Sequence, residues 1–323
     1  MSASSPEQQQ QQTQPAPWRD PFLTHLSRLR GPPTFTLATL HPATASEAPS
    51  PVMPCLPRAR TCVFRGLWAS QPLPGYKPEE HNRAAVALNP PLYESDLPVF
   101  TTDARTDKAA EILDSAGEDE IAASGGACGG GGPVEACFWV DVPSSSSSSG
   151  EEGEGAGQMM VKTQWRIRGH AWVLGGDVDA EDDAGARKVR EVLMRRMRKK
   201  VVGTGSGGGG EGGWSFAREV TAHFGNLSPL MRGSFRAPPP GTPVAYHTDK
   251  GEALGQRLDD LEDEVARKNF RVVVIVPDEV DQVDLSDELR PRRWLYVYRG
   301  EAADSRLPGG EVIGEWEKVE VWP

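Results

Sequence analysis

The run Asn269-Phe270-Arg271-Val272-Val273-Val274-Ile275-Val276 decides the fold class, because it is the densest concentration of β-branched and aromatic residues in the chain. It predicts a strand, and similar patterns predict further strands at 34–40, 60–65, 97–102, 134–142, 164–173, 280–285, 293–299 and 316–322. Helices are predicted within 17–30, 105–116, 184–202 and 252–268. Many strands and few helices, without regular alternation, favour a mainly antiparallel β-barrel with appended helices over a doubly wound parallel sheet.

Four low-complexity tracts interrupt this pattern, at 8–12, 124–132, 144–157 and 203–213. Their Gln, Ser, Glu and Gly residues offer little apolar surface to offset the entropy that ordering would cost. We therefore expect residues 1–16 to form a disordered tail. Residues 17–323 are expected to form a single domain that carries the other three tracts as surface insertions, because no block between tracts is long enough for a second core.

The composition excludes several classes of protein. The 35 basic and 46 acidic residues give a net charge of −11, which disfavours a nucleic-acid coat and an electrostatic membrane binder. No apolar stretch approaches the length of a membrane span, and the first residues do not have the pattern of a secretory signal. Cys55, Cys62, Cys128 and Cys137 form neither a C-x-x-C pair nor a zinc-ligand pattern. We therefore expect a cytoplasmic protein with reduced cysteines and no metal.

Three segments place polar or positive groups at the ends of predicted strands. Arg60 and Arg65 stand at the two ends of one strand, residues 101–108 turn from a strand into a helix, and Gln164 opens another strand. Phosphate is bound well by guanidinium groups, hydroxyls and the free N–H groups of a helix start. Residues 101–108 offer all three kinds of group. The alternative interpretation is that the threonines and Asp103 only cap the helix.

The order of the segments carries a resemblance. FTLATLH, PRARTCVFRG, FTTDARTDK, TQWRIRG, RRWLY and WEKVEVWP follow one another along the chain. In this order they resemble the pyridoxamine 5′-phosphate oxidase family, and in particular its fungal and cyanobacterial FMN-binding branch, over residues 17–323 outside the low-complexity tracts. The resemblance implies an FMN-binding split β-barrel of antiparallel Greek-key topology. It also implies a homodimer that holds FMN at the subunit interface.

The resemblance also implies roles for single residues. Arg60 would reach the FMN phosphate, and the other implied FMN-contacting residues are Thr61, Val63, Arg65, Thr101, Thr102, Thr106, Lys108, Gln164 and Arg293. Because Arg60 and Arg65 are an odd number of residues apart, they face opposite sides of a strand, and Arg65 would also hold an anionic group of a small substrate. Ser228 and Arg232 have the spacing of the family's phosphate-binding pair and would join Arg65. The alternative is that Ser228 caps a turn and Arg232 makes a local ion pair.

The resemblance weakens at the vitamin site. The family's Arg-x-His falls on Leu289-Arg290-Pro291, which lacks the histidine, and the arginine-rich position before Lys108 is Asp107. The FMN site is therefore expected to be retained and the pyridoxine site lost. The expected function is an FMN-dependent oxidoreductase that transfers hydride to flavin N5, with no catalytic residue assigned. The alternatives are an FMN carrier or sensor without turnover and an interaction module that uses the basic helix 184–202, whose simpler interpretation is a solvated face.

Overall fold

The computed structural model describes residues 14–43, 55–70, 89–114, 127–143, 160–200, 213–246, 253–300 and 304–323. Among these residues there are eleven strands and six α-helices. The strands are β1 (Thr34–Pro42), β2 (Cys55–Val63), β3 (Tyr93–Ser95), β4 (Val99–Asp103), β5 (Gly129–Pro143), β6 (Met160–Leu174), β7 (Met197–Lys199), β8 (Phe270–Asp284), β9 (Arg292–Tyr298), β10 (Glu311–Ile313) and β11 (Trp316–Val321). The helices are α1 (Arg19–Ser27), α2 (Asp107–Asp114), α3 (Ala184–Arg195), α4 (Phe216–Gly225), α5 (Pro229–Gly233) and α6 (Glu264–Asn269).

One antiparallel sheet contains nine of these strands. Eight of them follow the order β10-β11-β9-β8-β6-β5-β1-β2. The ninth, β4, pairs with the first part of β8, residues 270–274, whereas β9 pairs with its last part, residues 279–284. Among the described strands the ladder is not closed into a complete barrel. Two backbone bonds nevertheless bring the end of β2 towards β4, from Arg65 N–H to the Val99 carbonyl and from Trp68 N–H to the Leu97 carbonyl, both at 2.8 Å. The predicted mainly antiparallel β fold with appended helices is confirmed.

Strand β8 is buried on both faces, which explains its unbroken apolar run. Val273 and Ile275 belong to the core that the sheet encloses together with α1. Val272 and Val274 belong to a second core, where β8 packs against the appended helices. At the centre of the first core the Phe22 ring lies edge-on to Phe138, with 5.0 Å between ring centroids.

Several predicted elements have different bounds in the structure. The helix predicted at 184–202 ends at Arg195, and residues 197–199 form β7, because pairing with β3 brings Arg198 into contact with Asp96 and Glu94. The helix predicted at 252–268 is confined to α6, while Leu258 and Leu261 are buried in the second core outside any helix. The strands predicted at 269–276 and 280–285 are one strand, β8. Helices α4 and α5 were not predicted.

The prediction that the tract 124–132 is a surface insertion is wrong for residues 129–132, which lie buried in β5. Gly130 has a φ of +123°, and a Cβ there would lie 2.6 Å from the Ala171 carbonyl oxygen, so only glycine fits. The end of the predicted tail is ordered as well, since Ala16 is buried and its N–H donates to Asp96 Oδ2. The tracts 8–12 and 144–157, and residues 203–212 of the last tract, lie outside the described residues.

A buried carboxylate joins β11 to residues 305–307. Glu317 accepts hydrogen bonds from Arg299 Nε, Ser305 Oγ and the N–H groups of Arg306 and Leu307, at 2.7–2.8 Å. Burial alone would raise the pKa of this carboxyl group. The four donors outweigh burial and bring the pKa to about 2.

We expect this carboxylate to contribute to acid stability. In the unfolded chain Glu317 has its ordinary pKa of 4.5, above the folded value of about 2, so its contribution is complete above that range and disappears as the pH falls through it. Urea unfolding as a function of pH should show a smaller acid dependence for Glu317→Gln than for the wild type. Glu311→Gln, at an exposed position of β10, is the matched control. Equal acid dependence in wild type and Glu317→Gln would contradict this role.

Candidate functional site

Four of the predicted cofactor residues come together where β2 faces the start of α2. We call Arg60, Thr102, Thr106 and Lys108 the basic cluster. Lys108 Nζ donates to Thr102 Oγ1 at 3.1 Å, and the hydroxyls of Thr102 and Thr106 are 3.1 Å apart. The pKa of Lys108 is lowered, first by burial and also by the nearby charge of Arg60. Two cations and two hydroxyls are therefore close together in a partly desolvated place.

The turn before α2 holds the hydroxyls of this cluster in place. Thr106 Oγ1 donates to the Asp103 carbonyl at 2.7 Å, and Asp103 Oδ1 accepts the Arg105 N–H at 2.8 Å. Asp103 also forms a two-bond ion pair with the Arg105 guanidinium, at 2.9 and 2.7 Å. Within the described residues the side chains of Asp103 and Thr106 accept no hydrogen bond from an N–H group of α2, so the bonds of this turn do not support the capping alternative. Arg105 is neutralised by its own turn, which leaves Lys108 and Arg60 as the cations of the site.

A buried carboxylate that sequence reasoning missed fixes one side of Arg60. Glu111 on α2 is 3% exposed and pairs with Arg60 Nη2, while Thr39 Oγ1 bonds to both residues. His41 Nδ1 lies 3.3 Å from the other carboxylate oxygen. Among the described residues nothing accepts a hydrogen bond from Arg60 Nε. Glu111 lies 51 residues from Arg60 in the sequence. The one feature of the sequence that could have indicated its role is its place on the buried side of α2.

A second group of predicted residues lies on the outer face of the sheet. Gln164 on β6 pairs with Val283 on β8, which pairs with Arg293 on β9, so the three share one row across the sheet. Arg293 donates to both oxygens of Asp281, at 3.0 and 2.9 Å, and Arg166 pairs with the same carboxylate. The row continues to Trp139 on β5, whose side chain is 47% exposed. Sequence reasoning assigned neither Asp281 nor Trp139 a role.

The basic cluster and this outer row lie on opposite faces of the sheet. Arg60 is in register with buried Leu37 of β1, Ala136 of β5 and Ile167 of β6, whereas Gln164 is three residues from Ile167 and points the other way. Three strand spacings separate β2 from β6, or roughly 14 Å. By the same alternation Thr61 and Val63 share the outer face with Gln164, and Thr101 points away from Thr102.

Arg65 lies beyond the end of β2, away from the basic cluster. It is partly buried, and its Nη2 is 3.7 Å from the Met231 sulfur on α5. The predicted strand 60–65 ends at Val63, so Arg65 is not on the opposite side of the same strand as expected. The two arginines nevertheless contact different elements, Arg60 contacting Glu111 of α2 and Arg65 contacting Met231 of α5.

Ser228 makes the contact of the structural alternative, and the described contacts of Arg232 are with backbone carbonyls. Ser228 Oγ caps α5 by accepting the Met231 N–H at 3.3 Å. Arg232 is 1% exposed and donates to the carbonyls of Leu258, Gly225 and Leu227 at 2.9–3.0 Å. These contacts do not support the predicted role of the pair in gripping a substrate anion.

Two further observations concern other kinds of site. In the part of the chain that the structure describes, no helix is both long and apolar enough to cross a membrane. Across the same residues no three His, Cys, Asp or Glu side chains are grouped so that they could hold a metal ion.

Comparison with known proteins gives one family. Residues 15–145 match the family model for the pyridoxamine 5′-phosphate oxidase FMN-binding domain, which confirms the resemblance indicated by the motifs. No curated protein matches the chain. Similar solved structures include a pyridoxamine 5′-phosphate oxidase-related, FMN-binding protein from Nostoc punctiforme PCC 73102 (17% identity, TM-score 0.44, 95% of this chain and 98% of that one). Another is PhzG from Burkholderia lata 383 in complex with tetrahydrophenazine-1-carboxylic acid (12% identity, TM-score 0.40, 100% of this chain and 99% of that one).

Proposed function

Because residues 15–145 belong to the pyridoxamine 5′-phosphate oxidase FMN-binding domain family, we propose that the protein binds FMN and holds its phosphate in the basic cluster. Lys108 and Arg60 supply the charge, and Thr102 and Thr106 supply hydroxyls. The observation that carries this proposal is the pair of close, partly buried cations beside the hydroxyls of Thr102 and Thr106.

The charges of the cluster fit a phosphate group. Glu111 offsets one of the two cations and the Asp103–Arg105 pair is neutral, so one positive charge remains. Burial and the charge of Arg60 both disfavour the protonated form of Lys108. A bound anion would relieve that repulsion and would accept the N–H and O–H groups that face it. The donor set therefore suits the terminal phosphate of FMN, and the remaining positive charge would offset part of the negative charge of that phosphate.

The division between the two faces supports a dimeric site. One FMN bound in the basic cluster of a protomer cannot also touch Gln164 and Arg293 of the same protomer, because these lie on the other face of the sheet and three or more strands away. A second copy would bring its own outer row to the flavin. We therefore propose a homodimer in which each FMN contacts both subunits, with Asp281 holding Arg293 in place.

The proposed reaction class is oxidoreduction of a small substrate. Bound FMN would supply a hydride acceptor at flavin N5. The chain's own part is to fix the phosphate with Arg60 and Lys108, to orient the ring edge with Gln164, and to hold an anionic substrate group with Arg65. We assign no residue as a general acid or base.

A carrier or sensor without turnover is the second candidate, and two observations favour it. Leu289, at the position of the family's vitamin-binding motif, is 92% exposed in a turn that lacks the histidine. Arg232, the other expected substrate ligand, is occupied by backbone carbonyls. An interaction module based on the basic helix is less well supported, because on α3 Arg190 bonds the carbonyls of residues 178 and 180 and Arg195 pairs with Glu191.

The visible absorbance spectrum of the purified protein tests the proposal directly. We expect an FMN spectrum, and adding pyridoxamine 5′-phosphate without oxygen distinguishes an active oxidase from a carrier. Bleaching would show turnover of that substrate. An unchanged flavin spectrum would leave FMN binding intact and direct the search to other reductants. Protein that neither carries flavin nor takes up added FMN would refute the proposal.

A further inference from the structure

Helix α1 and strand β6 are joined by a hydrogen bond between two ring nitrogens. The indole Nε1–H of Trp165 on β6 donates to Nδ1 of His25, in the last turn of α1, at 3.1 Å. The two rings are tilted by 56°, with 5.8 Å between their centroids. Because an indole nitrogen can only donate, His25 Nδ1 carries no proton and the ring proton is on Nε2. The contact therefore requires a neutral His25 in one tautomer.

This bond belongs to the packing of α1 against the first core. Trp165 is fully buried, and the Phe22 ring of α1 lies edge-on to it, with 5.5 Å between ring centroids. Tyr296 of β9 stacks on the same indole. A buried N–H group that loses its acceptor destabilises the fold, because it no longer has water as a partner either. Helix α1 is therefore held on the sheet partly by a bond that only the neutral imidazole of His25 can accept.

The surroundings of His25 favour its neutral form. Burial, and then the charge of Arg28 just after α1, lower the pKa of His25 from its usual 6.5, and the opposing charge of Asp284 at the end of β8 is a smaller effect. Tyr296 adds no charge, because burial raises its pKa to about 12. His25 itself is only partly buried, so it can still take up a proton from solvent when the pH falls.

We propose that the His25–Trp165 contact is a pH-sensitive switch, which keeps α1 docked on β6 while His25 is neutral and loosens α1 when His25 is protonated. A protonated imidazole donates from both nitrogens, so its Nδ1–H would face the indole N–H and the bond would be lost. In the unfolded chain His25 has its usual pKa of 6.5. The stabilisation from this contact is therefore complete above that pH and decreases as the pH falls below it. The switch does not depend on FMN binding.

Hydrogen exchange and nuclear magnetic resonance of the full-length chain test this proposal. Between about pH 8 and about pH 5, the amides of α1 should exchange at least about tenfold faster than the intrinsic effect of pH on exchange predicts. In a sample isotope-labelled at its indole nitrogens, the Trp165 signal is the one that Trp165→Phe lacks. We expect it to move towards the position of an unbonded indole N–H. Glu317 does not interfere, because its pKa of about 2 lies below this range.

His25→Asn is the decisive variant, because its amide oxygen can accept from the indole but takes up no proton. It should keep the slow exchange of α1 and an unmoved Trp165 signal throughout this pH range. His170→Asn is the matched control, since His170 is also a histidine in contact with β6 neighbours but lies half exposed beside Asp278. It should respond to acid like the wild type. A wild type that shows neither change in acid, or the same changes in His25→Asn, would overturn the proposal.

Discussion

Replacing Lys108 and Arg60 together by alanine should strip the protein of FMN. A hydrogen bond to a charged group contributes about 1.5–3 kcal/mol, so losing both phosphate contacts should weaken FMN binding by roughly a hundred- to ten-thousand-fold. The ratio of flavin to protein absorbance after purification gives a first answer. Titration of the flavin-free variants with FMN then gives the dissociation constants.

The two single variants differ in what they leave behind. Within the described residues Lys108 Nζ bonds only Thr102, whose hydroxyl keeps its contact with Thr106, so Lys108→Ala removes a cation without leaving an unpaired buried charge. Arg60→Ala leaves the buried Glu111 carboxylate without its main counter-ion and is expected to lower stability as well. Lys108→Ala is therefore the cleaner test.

Lys162→Ala is the control for that test, since this lysine pairs loosely with Glu288 at the surface, at 3.5 Å. It should retain flavin. Unchanged flavin content in the purified double variant would sink the assignment of the basic cluster to the FMN phosphate.

The sequence could predict the parts of the fold and site that are set locally. The apolar run of β8 predicted a buried strand. The threonine-rich end of β4 and the start of α2 follow one another directly, so the sequence already placed Thr102, Thr106 and Lys108 close together. Alternation along a strand predicted that Arg60 and Arg65 serve different places, but β2 ends at Val63 and the separation of the two side chains does not come from alternation. Each of these inferences needed only residues that are neighbours in sequence.

Contacts between distant segments could not be predicted in this way. Glycines in a low-complexity tract look like part of an insertion. Gly130 is nevertheless required in β5, because β6 approaches it too closely for any side chain to fit there. Arg232 had the spacing of an anion ligand, but carbonyls at the end of α4 and at Leu258 occupy it. The pairing of Glu111 with Arg60 likewise depends on how α2 packs across β5 and β1, which periodicity does not reveal.

The largest loss of stability is expected from Asp96→Ala. Asp96 accepts the Ala16 N–H at 2.8 Å, two bonds from Arg198 at 2.7 and 2.9 Å, and lies 3.1 Å from Arg19 Nε. Arg198 is 7% exposed. Burial acts to lower its pKa, but the bonds to Asp96 and Glu94 outweigh burial and raise it. One carboxylate thus connects the segment before α1 to β7.

Without that carboxylate, Arg198 keeps only Glu94, and the Ala16 N–H loses its buried acceptor. Removing one partner of a buried ion pair costs about 3–5 kcal/mol when the other charge is left uncompensated, and because Glu94 still pairs with Arg198 the loss should lie near the lower end of that range. Urea unfolding of Asp96→Ala should show a decrease of this size in the free energy of unfolding.

Asp20→Ala is the control that distinguishes the effect of the burial of Asp96 on stability from the effect of its charge alone. Asp20 also pairs with Arg19, at 3.0 Å, but its side chain is 80% exposed. Because exposed pairs contribute about 1 kcal/mol or less, this variant should be almost as stable as the wild type. Equal losses in the two variants would show that Asp96 acts as an ordinary surface charge and that packing of Trp18 and Phe22, both fully buried, holds α1 in place without it.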